Sequence, residues 1–251
     1  IIGVASASKN AGATFLLLGR SGLVEETSSW LDWNEEELNA RKMELREELI
    51  ANSDSGKVTM VEWNNAWTKL TRSMDIYRTI SEIEASGNNA EYHSANVTDV
   101  KVIGGAVGSR NVTGIVHGAG LEESKLVADK SWDTFDLIVR VKVDGWKALT
   151  SVAGDSLRFA CAFTSVAGRF GNGGQTDYAA ANSILDAEMA RLTANSECRA
   201  VAIGWTGWRD VGMATRGSIE AVFESAGIET LAVEDGVEIF VSEALAGGKR
   251  G

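Results

Sequence analysis

No proline occurs anywhere in the 251 residues. At an average usage of about 5%, a chain this long would carry roughly a dozen. Chance is a poor account of that. It leaves an unusual source, or a sequence shorter than the natural one, in which case some spacings are compressed. Element ends must then be read from glycine and from Asn/Ser clusters. Positive charge is also scarce: 24 Lys and Arg face 35 Asp and Glu, for a net charge of −11. The absence of a basic stripe argues against a nucleic-acid partner, and the acidity reads as solubility. There are two histidines and two cysteines. No metal-ligand spacing surrounds His117. Cys161 and Cys198 lie in or beside apolar runs, the usual setting of buried free thiols, which is consistent with a cytoplasmic location. Apolar runs are far too short to cross a bilayer, and no signal peptide opens the chain, so no membrane association is expected.

What is present suits a packed α/β domain. Hydrophobic residues make up 44% of the chain, enough for a sizeable core. Ile1 to Ala11 is rich in small residues and reads as a helix, broken by Gly12. Phe15-Leu16-Leu17-Leu18 is a short apolar run ended by Gly19, the pattern of a strand buried on both faces. Residues 22–70 differ: Glu35 to Ile50 is highly charged, with Leu38, Leu45 and Leu49 near one face and Glu37 four residues before Arg41. This region reads as a helical insertion, either a solvated helix or a small interaction surface. Ser53-Asp54-Ser55-Gly56 marks a loop within it. Further helices are expected from Thr71 to about Ala85, after Thr98, from Ser131 to Val152 and from Tyr178 to Ala194, with two more closing the chain. Strands are expected at Ala90–Ala95, Val112–Val116, Leu157–Phe163 and Ala200–Ile203. The alternation argues βαβ units in a doubly wound parallel sheet with helices on both faces, where ligands bind outside the carboxyl ends of the strands.

Three of those strand ends carry candidate chemistry. The first gives Gly19-Arg20-Ser21. Arg20 would project where dinucleotide folds recognise the adenosine ribose, and a guanidinium there suits a 2′-phosphate; a solvated loop arginine is the plainer alternative. The second gives His117-Gly118-Ala119-Gly120, small residues that let backbone approach a cofactor, with His117 itself read as a hydrogen-bonded structural residue. The third runs from Phe163 to Asn182: Ser165 closes an apolar strand, and Tyr178 and Asn182 sit four apart on one face of the helix that follows a glycine-rich loop.

That third segment resembles the active site of short-chain dehydrogenases/reductases, in which Tyr follows Ser by about this interval. The family usually carries Lys four residues after Tyr. Asn182 at that position instead resembles the ketoreductase domains of polyketide and polyunsaturated-fatty-acid synthases, whose lysine comes from the preceding long helix, here Val141-Lys142-Val143-Asp144-Gly145. Other segments are similar too: Phe15 to Ser21, His117 to Gly120, the insertion after strand two, and Trp205 to Trp208 with Gly212-Met213-Ala214, which looks like the lid. The resemblance implies a Rossmann-like fold, with residues 1–251 as one catalytic domain. It implies NADPH-dependent reduction of a β-ketoacyl thioester presented by an acyl carrier protein, with other synthase domains in the same polypeptide. By the same carry-over Ser165, Tyr178, Lys142 and Asn182 are catalytic, and Arg20, Ser21, Asn96, Val97 and His117 to Gly120 contact the cofactor. Tyr178 is then the proton donor, Ser165 positions the ketone, and Lys142 is expected to lower the phenol's pKa.

The chain departs from the pattern in places. No Gly-rich phosphate cradle is recognisable. Spacing back from Arg20 puts Ile1 inside the first helix and the N-terminal strand and cradle upstream of it. Asn96 replaces an expected acidic residue, and Ser124 and Phe170 replace residues that mark product hand. A free-standing dehydrogenase of small ketones or alcohols, and a degenerate non-catalytic domain, remain as alternatives.

Overall fold

The structure, a computed structural model, describes residues 11–209 and 229–246. The chain separates into two compact units, essentially residues 4–95 and 96–251. The expected opening helix and the Gly212-Met213-Ala214 segment lie outside the described residues.

In the first unit two parallel strands, β1 (Thr14–Gly19) and β2 (Asn89–Ser94), pair in the register Phe15↔Ala90 through Gly19↔Ser94. Asn88 Oδ1 accepts the Ala13 amide at the start of the ladder. The apolar run of β1 is half-buried rather than covered on both faces. Between the strands come a 3-10 turn (Glu25–Trp30), α1 (Glu35–Ala51) and α2 (Met60–Ala85). Both helices begin in reciprocal capping boxes, Asn34 with Glu37 and Thr59 with Glu62. The sequence-based limit of the insertion at residue 70, and the helix start at Thr71, do not correspond to a boundary. The Thr59 cap starts one helix that runs unbroken through both. Its stripe of Trp63, Ala66, Trp67, Leu70 and Met74 packs with Trp30, Leu45 and Leu49 into one cluster, so the insertion shares its core with the helix leading to β2.

The second unit carries the parallel sheet β3 (Gly114–His117), β4 (Phe159–Ser165) and β5 (Arg199–Trp205), in the order β3-β4-β5. The period-2 alternation of β4 assigns its two faces. Ala160 and Ala162 pack with Trp146, Leu185 and Met189, which come from α4 (Trp132–Ala153) and α6 (Thr176–Asn195). Phe163 meets Phe240 edge-on at 5.2 Å from the opposite side, on α7 (Val233–Val241). Helices therefore cover both faces of a parallel sheet. The short α3 (Val100–Val107), capped by Asp99, precedes β3, and α5 (Val166–Phe170) follows β4 directly. The expected strands, and the helices expected at Glu35, after Thr98, from Ser131 and from Tyr178, appear with ends within about two residues; of the two helices expected to close the chain, α7 is among the described residues, and residues 210–228 lie outside them.

Candidate active site

Ser165 is the last residue of β4 and also caps α5, its Oγ accepting the Ala167 amide at 3.2 Å. A strand that ends in a capping serine leaves that hydroxyl at the carboxyl edge of the sheet. Tyr178 lies in the first turn of α6 and is 9% exposed. One turn later Asn182 is wholly buried, its Nδ2 donating to the Tyr178 carbonyl at 2.7 Å. Its Oδ1 is buried without a hydrogen-bond partner, an acceptor left open beside the phenol's helix. The backbone of Gly168 presses against this point, since a Cβ there would lie 2.8 Å from that of Asn182.

Lys142 arrives from the middle of α4, only 3% exposed. Its Nζ donates to the Phe163 carbonyl at 2.9 Å and stands 5.7 Å from the centre of the Tyr178 ring. Burial pushes its pKa down to about 8, opposed by the carboxylate of Asp186. Burial likewise pushes the Tyr178 phenol up, opposed by hydrogen bonding from Asn182 and Ser165, while the charge of Glu122 adds to the rise. The expectation that Lys142 would hold the phenol low is not what this arrangement produces. The ammonium is committed to the Phe163 carbonyl and lies over the ring, and desolvation dominates the phenol.

The turn after β3 completes the surroundings. His117 is 1% exposed, and its Nε2 lies 2.8 Å from the Lys142 carbonyl. A carbonyl only accepts, so Nε2 carries the proton, and burial holds the ring's pKa down at about 4. His117 thus braces α4 as a neutral structural residue. A Cβ on Gly120 would come within 3.2 Å of Lys142 Cε, and one on Gly145 within 2.9 Å of Val97 Cγ1 and 3.3 Å of His117 Cε1. Two glycines therefore let the turn, α4 and Val97 close up around the lysine. Gly118 is exposed and Ala119 half-buried. Asn96 is exposed and folds back on Thr98, its Oδ1 accepting both the amide and the hydroxyl. Arg20 and Ser21 follow β1 in the first unit. Arg20 is exposed, and the carbonyl of Ser21 accepts the Tyr92 hydroxyl at 2.6 Å. Gly19 is needed there because a Cβ would lie 2.7 Å from that phenol oxygen. Phe170 is 79% exposed, and the Ser124 hydroxyl donates to the Glu122 carboxylate.

Sequence reasoning passed over part of this neighbourhood. The loop from Glu122 to Lys130 is tied to the segment leading into α6. The Lys125 amide donates to the Gly174 carbonyl at 3.0 Å, and Gln175 Nε2 donates to Glu122 Oε1 at 3.0 Å. Lys130 Nζ lies 2.7 and 2.8 Å from the two carboxylate oxygens of the fully buried Asp177. An acidic residue directly before Tyr178 was the one local sign of it. Two hollows of about 350 and 320 Å³ lie beside α7, and none of the four catalytic candidates lines them. Among the described residues no group of three His, Cys, Asp or Glu is placed to hold a metal ion.

Comparison with known proteins identifies the family. A polyunsaturated fatty acid synthase of Thraustochytrium sp. is 30% identical over 242 residues, covering 91% of this chain and 8% of the relative. The polyketide synthase PksM of Bacillus subtilis is 28% identical over 169 residues, covering 64% of this chain and 4% of the relative. The chain thus spans under a tenth of the length of these curated relatives. Among solved structures, the ketoreductase from the first module of phoslactomycin biosynthesis in Streptomyces sp. HK803 superposes with a TM-score of 0.61 at 28% identity, covering 67% of this chain and 40% of that one. A ketoreductase from the macrolactin assembly line matches 99% of this chain and 41% of that one with a TM-score of 0.65, and at 19% identity it speaks for the fold alone. The KR domain model matches residues 10–210, most of the chain, and on that ground the chain belongs to the ketoreductase, or KR, domain family of oxidoreductases.

Proposed function

We propose that this domain reduces a β-ketoacyl thioester, carried on an acyl carrier protein within a larger synthase, to the β-hydroxyacyl thioester, using NADPH. The observation that carries the reading is the convergence of a buried ammonium, a buried phenol and a strand-end hydroxyl at one sheet edge. Lys142 Nζ is 5.7 Å from the Tyr178 ring, and Ser165 is near enough to the same phenol to draw its pKa down against the effect of burial. The residues fit a nicotinamide cofactor. Gly120 leaves the turn close against Lys142, where a side chain would crowd it. When bound, the reduced nicotinamide supplies the hydride. Gly118 to Gly120, with Val97 and Asn96, would hold that end of it by backbone and apolar contact. For Arg20 and Ser21, in the first unit, contact with a 2′-phosphate is proposed from their motif alone.

As hydride reaches the ketone carbon, negative charge grows on the ketone oxygen. Tyr178 Oη, kept protonated by burial, delivers a proton there as general acid. Ser165 Oγ donates to the same oxygen and fixes the ketone's orientation. Lys142 places a positive charge beside the phenolate formed, which favours that product of proton transfer. Asn182 anchors the phenol's helix turn and offers its open Oδ1 to a resupplying proton donor. The synthase relatives, and a cytoplasmic setting compatible with two buried free thiols, support the carrier-protein partnership.

The test follows NADPH oxidation with an acetoacetyl thioester or a cyclic ketone surrogate. Wild type should turn over, and Tyr178→Phe should lose about 10²–10⁴-fold in kcat with an unchanged melting temperature. Full activity in that variant removes Tyr178 from the mechanism.

A further inference from the structure

Five of the seven helices described start at a side-chain cap: Asn34, Thr59, Asp99, Ser131 and Ser165. Helix α6, which carries Tyr178, does not, for Gln175 at its N-cap makes no side-chain cap bond. The first-turn amides of a helix have no partner within it. The amide of Tyr178 is one of these, and Asp177 Oδ1 accepts it at 2.8 Å. Asp177 is 0% exposed. A buried carboxylate on a neighbouring residue would hold nothing firmly unless its own charge were met. Lys130 meets it, with a side chain 3% exposed, binding both oxygens and also donating to the Glu123 carbonyl at 2.7 Å.

We propose that Lys130 is a positioning residue for the reduction: acting through Asp177, it fixes the backbone of Tyr178 and so the place of the phenol. The two residues lie 47 positions apart, so the cap is supplied by the loop that also carries Glu122 and Ser124. That loop is stitched to the same segment through Gln175 and Gly174. Gly174 has φ +77, and a Cβ on it would lie 3.2 Å from the Lys125 amide, so the close seating depends on glycine. Neither Lys130 nor Asp177 reaches the phenol itself. Their effect is on where Tyr178 sits relative to Ser165 and Lys142, and fractions of an ångström there alter proton transfer.

The proposal rests on the reductase reading for its consequence in turnover, so its test includes a readout independent of turnover. The chain has three tyrosines, Tyr77, Tyr92 and Tyr178. Uniform 3-fluorotyrosine labelling therefore gives three ¹⁹F signals, with that of Tyr178 identified by its loss in Tyr178→Phe. Lys130→Met alone leaves a buried carboxylate unpaired and is expected to fold poorly. The deciding variant is Lys130→Met with Asp177→Asn, which removes both charges while keeping an amide oxygen for the Tyr178 N–H. The expected result is a melting temperature within a few degrees of wild type, a Tyr178 ¹⁹F signal that shifts or broadens while the other two stay, a kcat lowered at least tenfold and a KM for NADPH within twofold. A Tyr178 signal that does not move overturns the proposal whatever the turnover, as does a moved signal with kcat within twofold of an active wild type. An inactive wild type would sink the reductase reading, and the ¹⁹F comparison would then decide the positioning role alone.

Discussion

Among the described residues, the buried polar side chains of the first unit are Thr27, Ser73, Ser86 and Asn88, none of them charged. Those of the second include Lys142 and Asp177, with His117, Thr164 and Asn182. Where the first unit uses charge it stays near water: Arg41 reaches Glu26 at 3.3 Å and Glu48 at 3.0 Å, with both glutamates about half exposed. Its interior is aromatic, Trp30 stacking on Trp33 at 5.0 Å and Trp67 at 6.2 Å. Isolated buried charge is costly and surface pairs are worth little. A chain that buries ionisable groups near Tyr178 is accepting a local loss of stability there.

The sharpest way to break that contrast is Lys142→Met. Activity should fall by a factor of about 10² to 10⁴, while thermal stability at neutral pH should rise. The sign follows from the shift. Lys142 titrates near 8 in the folded chain against an ordinary 10.5, so between those values the unfolded chain holds more protons and wild-type stability increases with pH. Below pH 8 the buried ammonium carries its full cost, on the order of 3 kcal/mol before other interactions respond. Denaturant midpoints from pH 7 to 10 should climb in wild type and stay flatter in the variant; a parallel pair of curves would show the ammonium costs nothing. In the first unit the comparable blow is to packing. Trp30→Ala empties a 2% exposed site and should cost about 3–5 kcal/mol in urea unfolding followed by tryptophan fluorescence. A smaller effect is expected at Arg20, where Arg20→Ala should raise the KM for NADPH about tenfold, close to the loss of one charge-assisted hydrogen bond, and leave the KM for NADH unchanged. The least is Thr59→Ala, which removes the α2 cap and should cost about 1 kcal/mol, measured by the same urea titration with activity intact.

Much of the site was legible because its logic is local. Ser165 at a strand end and Tyr178 with Asn182 a turn apart follow from a strand-loop-helix pattern that short-range spacing displays, and in the structure Ser165 ends β4 while Tyr178 and Asn182 lie a turn apart on α6. The limit at residue 70 was misjudged because the charged stretch before it looks unlike the helix after it, whereas Trp63, Trp67 and Leu70 share one buried stripe across that point. Lys130 gave no local sign, since its partner is 47 residues away.

The amino-acid order by itself determined the alternation of strands and helices, the caps that start most helices, and which hydroxyl, phenol and carboxamide share the loop after β4, because each depends on residues within a turn or two. Only the tertiary structure decided that Lys142 lies over the Tyr178 ring and donates a hydrogen bond to the Phe163 carbonyl, that the phenol is raised rather than lowered, and that Lys130 closes the start of α6. Desolvation and Coulomb interaction depend on distance and burial in space, and these are set by how distant elements pack.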